Sequence, residues 1–327
     1  MAATLNPLQS SSTQMTHNQH AIPKVCFPAG KTQLQTKIVD VIEHNNLTWL
    51  VLEETPVHPR DFRWPDQPRD KARFSLHDLD LKDSNQSSFP LIDAVKILYT
   101  TQGYLIDTDI KYSQKEMPED AYLVVGHCID ASQIDIDNIQ ALKGQNLAVI
   151  VDESQRAAYS TGHSIGHLFS FALNEILSPY WRKPVPTDAR GFQDFVSLSL
   201  DESKVSNFST TDKYRLGKSL RKSGFNTADM LAQLPQIMGT IETTLAQWLA
   251  LQPIAWIESQ GLGLGDSRVW HCTIGSESLS MFCGGTHLKS FADIQKIDIK
   301  YNFDAQLKTL AVTVTSCPII SIELSKN

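Results

Sequence analysis

The sequence predicts an α+β protein, with an N-terminal small β-barrel domain over residues 22–150 and an α+β domain over residues 151–327. Three patterns carry the prediction. Short apolar or alternating runs, each closed by turn residues, fill the first half at the spacing of a small barrel. A broad apolar stripe at helical spacing opens after Asp152, and the tail returns to two-residue alternation. Residues 1–21, rich in Ser, Thr, Gln and Asn, are expected to be a disordered start.

From Lys37 to Glu53 the chain reads as two strands joined at Asn45-Asn46, a pair that tolerates the left-handed backbone of a tight hairpin. Further strands are expected at Val95–Leu98, Tyr104–Ile106, Tyr122–Ile129 and Leu147–Val151, and a loop over the polar run Ser75–Ser88. Ile165, Leu168, Phe169, Ala172, Leu173, Ile176 and Leu177 form the first helical stripe, with Ser160 or Thr161 available to cap it and Pro179 to end it. Two more helices are expected over Thr210–Arg221 and Asn226–Leu251, the second from its stripe Met230, Leu234, Ile237, Ile241, Leu245, Leu249. Ile297, Ile299, Tyr301, Phe303 and then Leu310, Val312, Val314 alternate with polar or small residues as strands do.

Composition narrows the function classes. At 41% hydrophobic and 20% charged residues the 327-residue chain has the balance of a globular protein, and no apolar run reaches bilayer length, so no membrane role is expected. The start carries no apolar core and no Lys or Arg before Lys24, which supports neither a secretory signal nor a mitochondrial presequence; a cytoplasmic chain is the expectation. Five cysteines at irregular spacing (Cys26, Cys128, Cys272, Cys283, Cys317) do not form a disulfide framework, and all but Cys283 read as small core residues. His127 and Cys128 are strand neighbours, so they face opposite ways and cannot easily share an ion. The net charge of −7 hides a basic stretch in which Lys218, Arg221 and Lys222 are spaced to share a helix face, either a solvated surface or an RNA-facing strip.

One constellation carries chemistry. In Ser160-Thr161-Gly162-His163-Ser164-Ile165-Gly166-His167 the four-residue step places both imidazoles on one helix face. In Cys283-Gly284-Gly285-Thr286-His287 two glycines let the backbone fold tightly enough for thiol and imidazole to reach one ion. His163, His167, Cys283 and His287 offer three nitrogens and a thiolate, a set that suits Zn2+ better than Mg2+ or Ca2+.

These residues resemble the editing domain of alanyl-tRNA synthetases and the free-standing alanyl-tRNA editing proteins (AlaX-like). The likeness extends over pieces of the chain from about Lys37 to about Phe303. Val151-Asp152 with Arg156 is similar to the segment before the family's histidine helix, and Arg268-Val269-Trp270 to its strand before Cys-Gly-Gly-Thr-His. Thr55-Pro56-Val57-His58-Pro59 and Gln67-Pro68-Arg69-Asp70-Lys71-Ala72 resemble its Thr-Phe-x-Pro and Gln-Pro-x-Asp-x-Gly elements. The chain departs from the pattern at Arg63-Trp64-Pro65-Asp66, where most members carry a glycine run, and at Ala72 in place of the final glycine.

The resemblance implies an editing fold like that of alanyl- and threonyl-tRNA synthetases over 151–327, and a deacylase that acts in trans, since no aminoacylation domain fits in the chain. It implies zinc at the quartet, the acceptor end of mischarged tRNA(Ala) as partner, and the ester of Ser-tRNA(Ala) as target. Thr286 is the candidate for substrate contact, with Thr161 a weaker one. Asp152 and Arg156 are candidates for positioning the terminal adenosine or supporting the histidine helix. Two alternatives stay open: an RNA-binding or assembly module whose zinc is purely structural, and a metal-dependent hydrolase of another small aminoacyl ester.

Overall fold

The computed structural model describes residues 22–61, 64–76, 88–112 and 116–318; the expected disordered start at 1–21 lies outside them. The fold is mixed α+β, mostly antiparallel strands with few helices. No helix among the described residues is long and apolar enough to cross a membrane. The chain divides into two compact units, Met1–Arg156 with Ser259–Arg268, and Ala157–Glu258 with Val269–Asn327. The return of residues 259–268 to the first unit is an excursion that the linear division at residue 150 does not contain.

The first unit contains β1 (Lys24–Val25), β2 (Gln33–His44), β3 (Leu47–Leu52), β4 (Glu54–Thr55), β5 (Ala72–Ser75), β6 (Ser88–Pro90), β7 (Asp93–Thr100), β8 (Gly103–Ile106), β9 (Tyr122–Ile129) and β10 (Asn146–Val151). Asn45 and Asn46 take φ of 50° and 60°, the left-handed pair that closes the β2–β3 hairpin with the strand twist. Of the run expected to be a loop at Ser75–Ser88, residues 77–87 lie outside the described residues, while its ends Ser75 and Ser88 pair as strand partners. Strands β5 and β6, which flank that run, are too short to show a period and were not expected.

Among the described residues the expected barrel is not closed. Eight strands form one sheet in the order β6-β5-β10-β2-β3-β9-β7-β8, and β6 and β8 stand at its two ends. Closure would need these ends to pair, yet β6 is three residues long and ends in Pro90, which has no N–H to give a ladder. Inside the sheet a bulge interrupts the longest strand. The twelve-residue β2 pairs with β10 over 33–37 and with β3 from Ile38 to His44, and its register against β3 shifts between Ile38 and Asp40.

Both faces of this sheet are covered. On β9, Val125 and Ile129 join one core with Ile38, Leu50 and Phe74, while Val124 and Cys128 join another with Trp49, Val95 and Ile97. His127 lies between Val125 and Ile129 on the first face, so it points away from Cys128, as the alternation requires. Its Nε2 meets Thr55 Oγ1 at 2.8 Å and its Nδ1 meets the Leu50 carbonyl at 2.9 Å. Complete burial lowers its pKa from 6.5 to about 4. The neutral ring is the folded form, so the unfolded chain takes up this proton first as pH falls below 6.5. Stability is unaffected above that value and declines between pH 6.5 and 4, by up to about 3 kcal/mol. An NMR titration of the folded protein should find the His127 ring unchanged down to about pH 5; a midpoint near 6.5 would contradict this burial.

The second unit is built around α1 (Glu153–Leu177), whose first turn belongs to the first unit. The helix starts earlier than expected. Asp152 caps it, its Oδ1 accepting from Gln155 N at 3.0 Å and Ser154 Oγ at 2.6 Å, while Ser160 and Thr161 lie inside the helix. The Thr161 hydroxyl donates to Ala157 O at 2.8 Å, a bond within the helix. Polar residues in the first two turns conceal the start, because the apolar stripe begins only where the second unit's core begins.

Next come α2 (Phe195–Ser199), β11 (Leu200–Ser206), β12 (Ser209–Arg215), α3 (Lys218–Lys222), α4 (Thr227–Ala232), α5 (Leu234–Ala250), β13 (Ile254–Ser259), β14 (Arg268–Ile274), β15 (Glu277–Phe282), β16 (Ile294–Asp304) and β17 (Thr309–Pro318). The first half of the helix expected over Thr210–Arg221 is the strand β12, and only its end, from Lys218, is helical as α3. Thr210, Asp212 and Tyr214 alternate inward, two of them polar, so the two-residue period is invisible on a hydropathy reading. The Tyr214 hydroxyl reaches the buried Asp212 carboxylate at 2.9 Å. The helix expected over Asn226–Leu251 is interrupted at Gln233, where Pro235 sits in the first turn of α5. Sheet β11-β12-β17-β16 contains both expected tail strands, and β13-β14-β15 forms a separate sheet.

Candidate metal centre

Two faces of α1 do two jobs. Gly162 and Gly166, one turn apart, face the β11–β12 hairpin. A Cβ on Gly162 would lie 2.5 Å from the backbone oxygen of Ser209 and 2.7 Å from that of Ser206; one on Gly166 would lie 3.1 Å from Thr210 Oγ1. That close approach lets Thr210 Oγ1 donate to Gly162 O at 2.7 Å. On an adjacent face Ser160, His163, Ser164 and His167 follow the i, i+3, i+4, i+7 pattern and meet the turn that leaves β15.

The quartet converges there. The ligand atoms of His163, His167, Cys283 and His287 all lie within 4.8 Å of one another. Cys283 Sγ is 3.4 Å from His163 Nε2 and 3.2 Å from His287 Nε2. Tetrahedral zinc with ordinary Zn–N and Zn–S bonds needs ligand atoms about 3.3–3.6 Å apart, so the two thiol–imidazole spacings fit an ion, and the wider pairs of the set would close by up to about 1 Å around it. Ring centroids are 4.7 Å apart for His163–His167, 4.3 Å for His163–His287 and 4.8 Å for His167–His287.

The environment of His167 is the sharpest test of fit. Its Nε2 is buried and meets no hydrogen-bond partner among the described residues. Leaving a ring nitrogen so buried and unpaired costs on the order of 1–3 kcal/mol unless something occupies its lone pair. Burial, followed by the neighbouring His163, holds the His167 imidazole well below the usual histidine range, so the ring stays neutral and its lone pair stays available. Trp270, fully buried, stacks edge-on against His167 at 4.9 Å between ring centroids and forms a wall of the site. His163 and His167 are buried, whereas Cys283 and His287 are partly exposed; the turn side of the site is open to solvent.

Thr286 comes to the quartet with its turn: it is 3% exposed, and its Oγ1 accepts from Ser160 Oγ at 2.9 Å. Asp152 and Arg156 are engaged elsewhere. Asp152 is an exposed helix cap, held below the usual carboxylate range by the Ser154 hydroxyl and the Gln155 amide. Arg156 is buried in the first unit, where its Nε donates to Asp70 Oδ1 at 2.7 Å and its Nη2 to Pro56 O at 2.7 Å and to Asp70 Oδ2. Asp70 also accepts from His58 N at 2.5 Å, so one carboxylate ties Thr55–Pro59 to Gln67–Asp70.

The remaining candidates divide. Burial pushes the Cys272 thiol up to about 12 and, with nearby carboxylates adding, Cys26 to about 12 and Cys128 to about 11, which keeps them protonated core groups; Cys317 is partly exposed. Three cations that precede the basic stretch in the chain, Lys204, Lys213 and Arg215, are neutralised on the β11–β12 hairpin, where Glu202 pairs with Lys204 and Lys213 at 2.5 Å each and Asp201 with Arg215 at 3.2 Å. Lys218, Arg221 and Lys222 are exposed on the short α3 around buried Leu220.

Three residues of the site escape the sequence reading. Ser160 and Ser164 are ordinary helix residues by composition; only the four-residue step they share with the histidines marks them. Trp270 shows as a strand residue, and nothing local indicates that it walls an ion site. A scan against protein-family models and a search of curated proteins both return no match for this chain.

Proposed function

We propose that this chain is a trans-acting aminoacyl-tRNA deacylase that hydrolyses the ester of mischarged tRNA(Ala), with Ser-tRNA(Ala) as its target, at a zinc site formed by His163, His167, Cys283 and His287. The observation that carries the reading is the convergence of that quartet, with the buried Nε2 of His167 left for an ion, in a chain whose motifs resemble the alanyl-tRNA editing family. Bound zinc supplies Lewis acidity toward an ester carbonyl and lowers the pKa of water. His163 and His167 hold the ion from a rigid helix, Cys283 and His287 close it from the exposed turn, and the substrate enters on the side of that turn. Thr286, anchored by Ser160, is the residue we assign to substrate contact. Asp152 and Arg156 we assign to holding α1 in place, since their carboxylate and guanidinium are already engaged in a cap and an ion pair. Lys218, Arg221 and Lys222 are the proposed RNA-facing cations.

Discrimination explains why such an enzyme is needed. One methyl separates substrates by only about 1–3 kcal/mol, and a pocket for alanine rejects an added hydroxyl poorly, so a second hydrolytic sieve is required.

A second reading is favoured by one feature: four protein ligands fill a tetrahedral zinc, the pattern of structural sites. It makes the chain an RNA-binding or assembly module. A panel of Ser-, Gly- and Ala-charged tRNA(Ala), run with and without chelator beside free aminoacyl esters, separates the readings. The deacylase should release serine fastest, from tRNA only, and stop when chelated. Binding of tRNA without release supports the module, and equal turnover of free esters moves the substrate to a small aminoacyl ester.

A further inference from the structure

We infer that Ser164 is a positioning residue of the metal centre: its hydroxyl accepts from Nδ1–H of His287 and thereby dedicates Nε2 of that ring to the ion. The inference rests on the quartet being a zinc site, not on the substrate. Ser164 is fully buried. Its Oγ lies 3.3 Å from His287 Nδ1 and accepts from Leu288 N at 2.9 Å.

A neutral imidazole has one protonated nitrogen and one lone pair, so the two sides of the His287 ring are not independent. Nδ1 faces Ser164, and Nε2 faces Cys283 Sγ at 3.2 Å. Were the serine to donate, the ring proton would sit on Nε2, pointed at the sulfur, and that nitrogen could bind nothing. When the serine accepts, the two lone pairs of its oxygen are spent on Leu288 N–H and Nδ1–H, and the Nε2 lone pair faces the other three ligands. Only the second arrangement is compatible with an ion held by all four.

The same helix stripe does more. Ser160, one turn earlier, donates to Thr286 Oγ1 at 2.9 Å. Thr286, His287 and Leu288 are thus each held by a serine of α1, on the face that also presents His163 and His167. These bonds dock the exposed half of the site on its buried half.

The test uses the zinc-loaded, 15N-histidine-labelled chain and a long-range 1H–15N correlation. The expected spectrum has His287 metallated at Nε2, with a slowly exchanging proton on Nδ1. In Ser164→Ala that proton should exchange much faster, and zinc affinity, read by competition with a chromophoric chelator, should fall ten- to a hundredfold. Zinc bound through Nδ1 of His287, or unchanged affinity in Ser164→Ala, would overturn the inference while leaving the zinc site intact. Failure of the native chain to take up zinc would remove both. Should the alanine variant not fold, the tautomer in the native chain still decides.

Discussion

Replacing His167 with alanine is expected to strip zinc from the protein and abolish hydrolysis of Ser-tRNA(Ala) while leaving the fold in place. Its Nε2 is buried and meets no hydrogen-bond partner among the described residues. Three ligands would remain, two of them on the partly exposed turn. Zinc content should drop from one per chain to below about a tenth, and turnover by at least about a thousandfold, because zinc supplies several kcal/mol of transition-state stabilisation. The fold should survive because α1 is held by apolar packing that owes nothing to the ion. Ile165, Leu168, Phe169, Ala172 and Leu173 are all fully buried in the core of the second unit. Each of the larger side chains contributes roughly 1.5–3 kcal/mol on burial. Circular dichroism and thermal melting of the variant separate the two readings: retained structure with lost turnover fits a catalytic ion, whereas collapse of the second unit fits a structural one.

Gly162→Ala should destabilise the protein far more than Gly166→Ala, although the two positions are a turn apart on one helix. A methyl at position 162 would meet two backbone oxygens at 2.5 and 2.7 Å, and a hairpin backbone cannot yield cheaply. Overpacking of this kind costs about 1–3 kcal/mol or more, and the gain in helix propensity from Gly to Ala returns only about 1 kcal/mol. A net loss of about 2 kcal/mol is the expected result. At position 166 the contacts are with the Thr210 side chain at 3.1–3.3 Å, which can give slightly. There the propensity gain roughly offsets the strain, and stability should stay within about 1 kcal/mol of the parent. Urea unfolding of both variants checks this, and equal losses would mean that the hairpin does not constrain the helix at Gly162. Gly162→Ala should also weaken zinc binding, since pushing the helix off the hairpin moves His163 and His167 together.

The convergence of His163, His167, Cys283 and His287 was legible in the sequence because each half of the cluster is local. A four-residue step fixes two imidazoles on a helix, and a Gly-Gly turn brings Cys283 and His287 together whatever surrounds them. The longer strands of the first unit were legible for a similar reason, since Asn45-Asn46 and the apolar runs act over a few residues. What failed depended on distant partners. Strand β12 reads as a helix because Thr210 and Asp212 are buried polar residues, and their burial is decided by β17 and by α1. The barrel reading failed because closure depends on what the end strands meet, which short segments such as β6 do not announce. Ser160 and Ser164 became recognisable as site residues only once the turn after β15 was seen docked against them.

The most direct test of the zinc centre is X-ray absorption on the protein loaded with one equivalent of zinc. A protein shell of three imidazole nitrogens at about 2.0–2.1 Å and one sulfur at about 2.3 Å is the predicted result, with a further oxygen ligand when the ion takes up water or ester, and with the sulfur shell lost in Cys283→Ala. A spectrum without sulfur, or with a shell of oxygens alone, would contradict it.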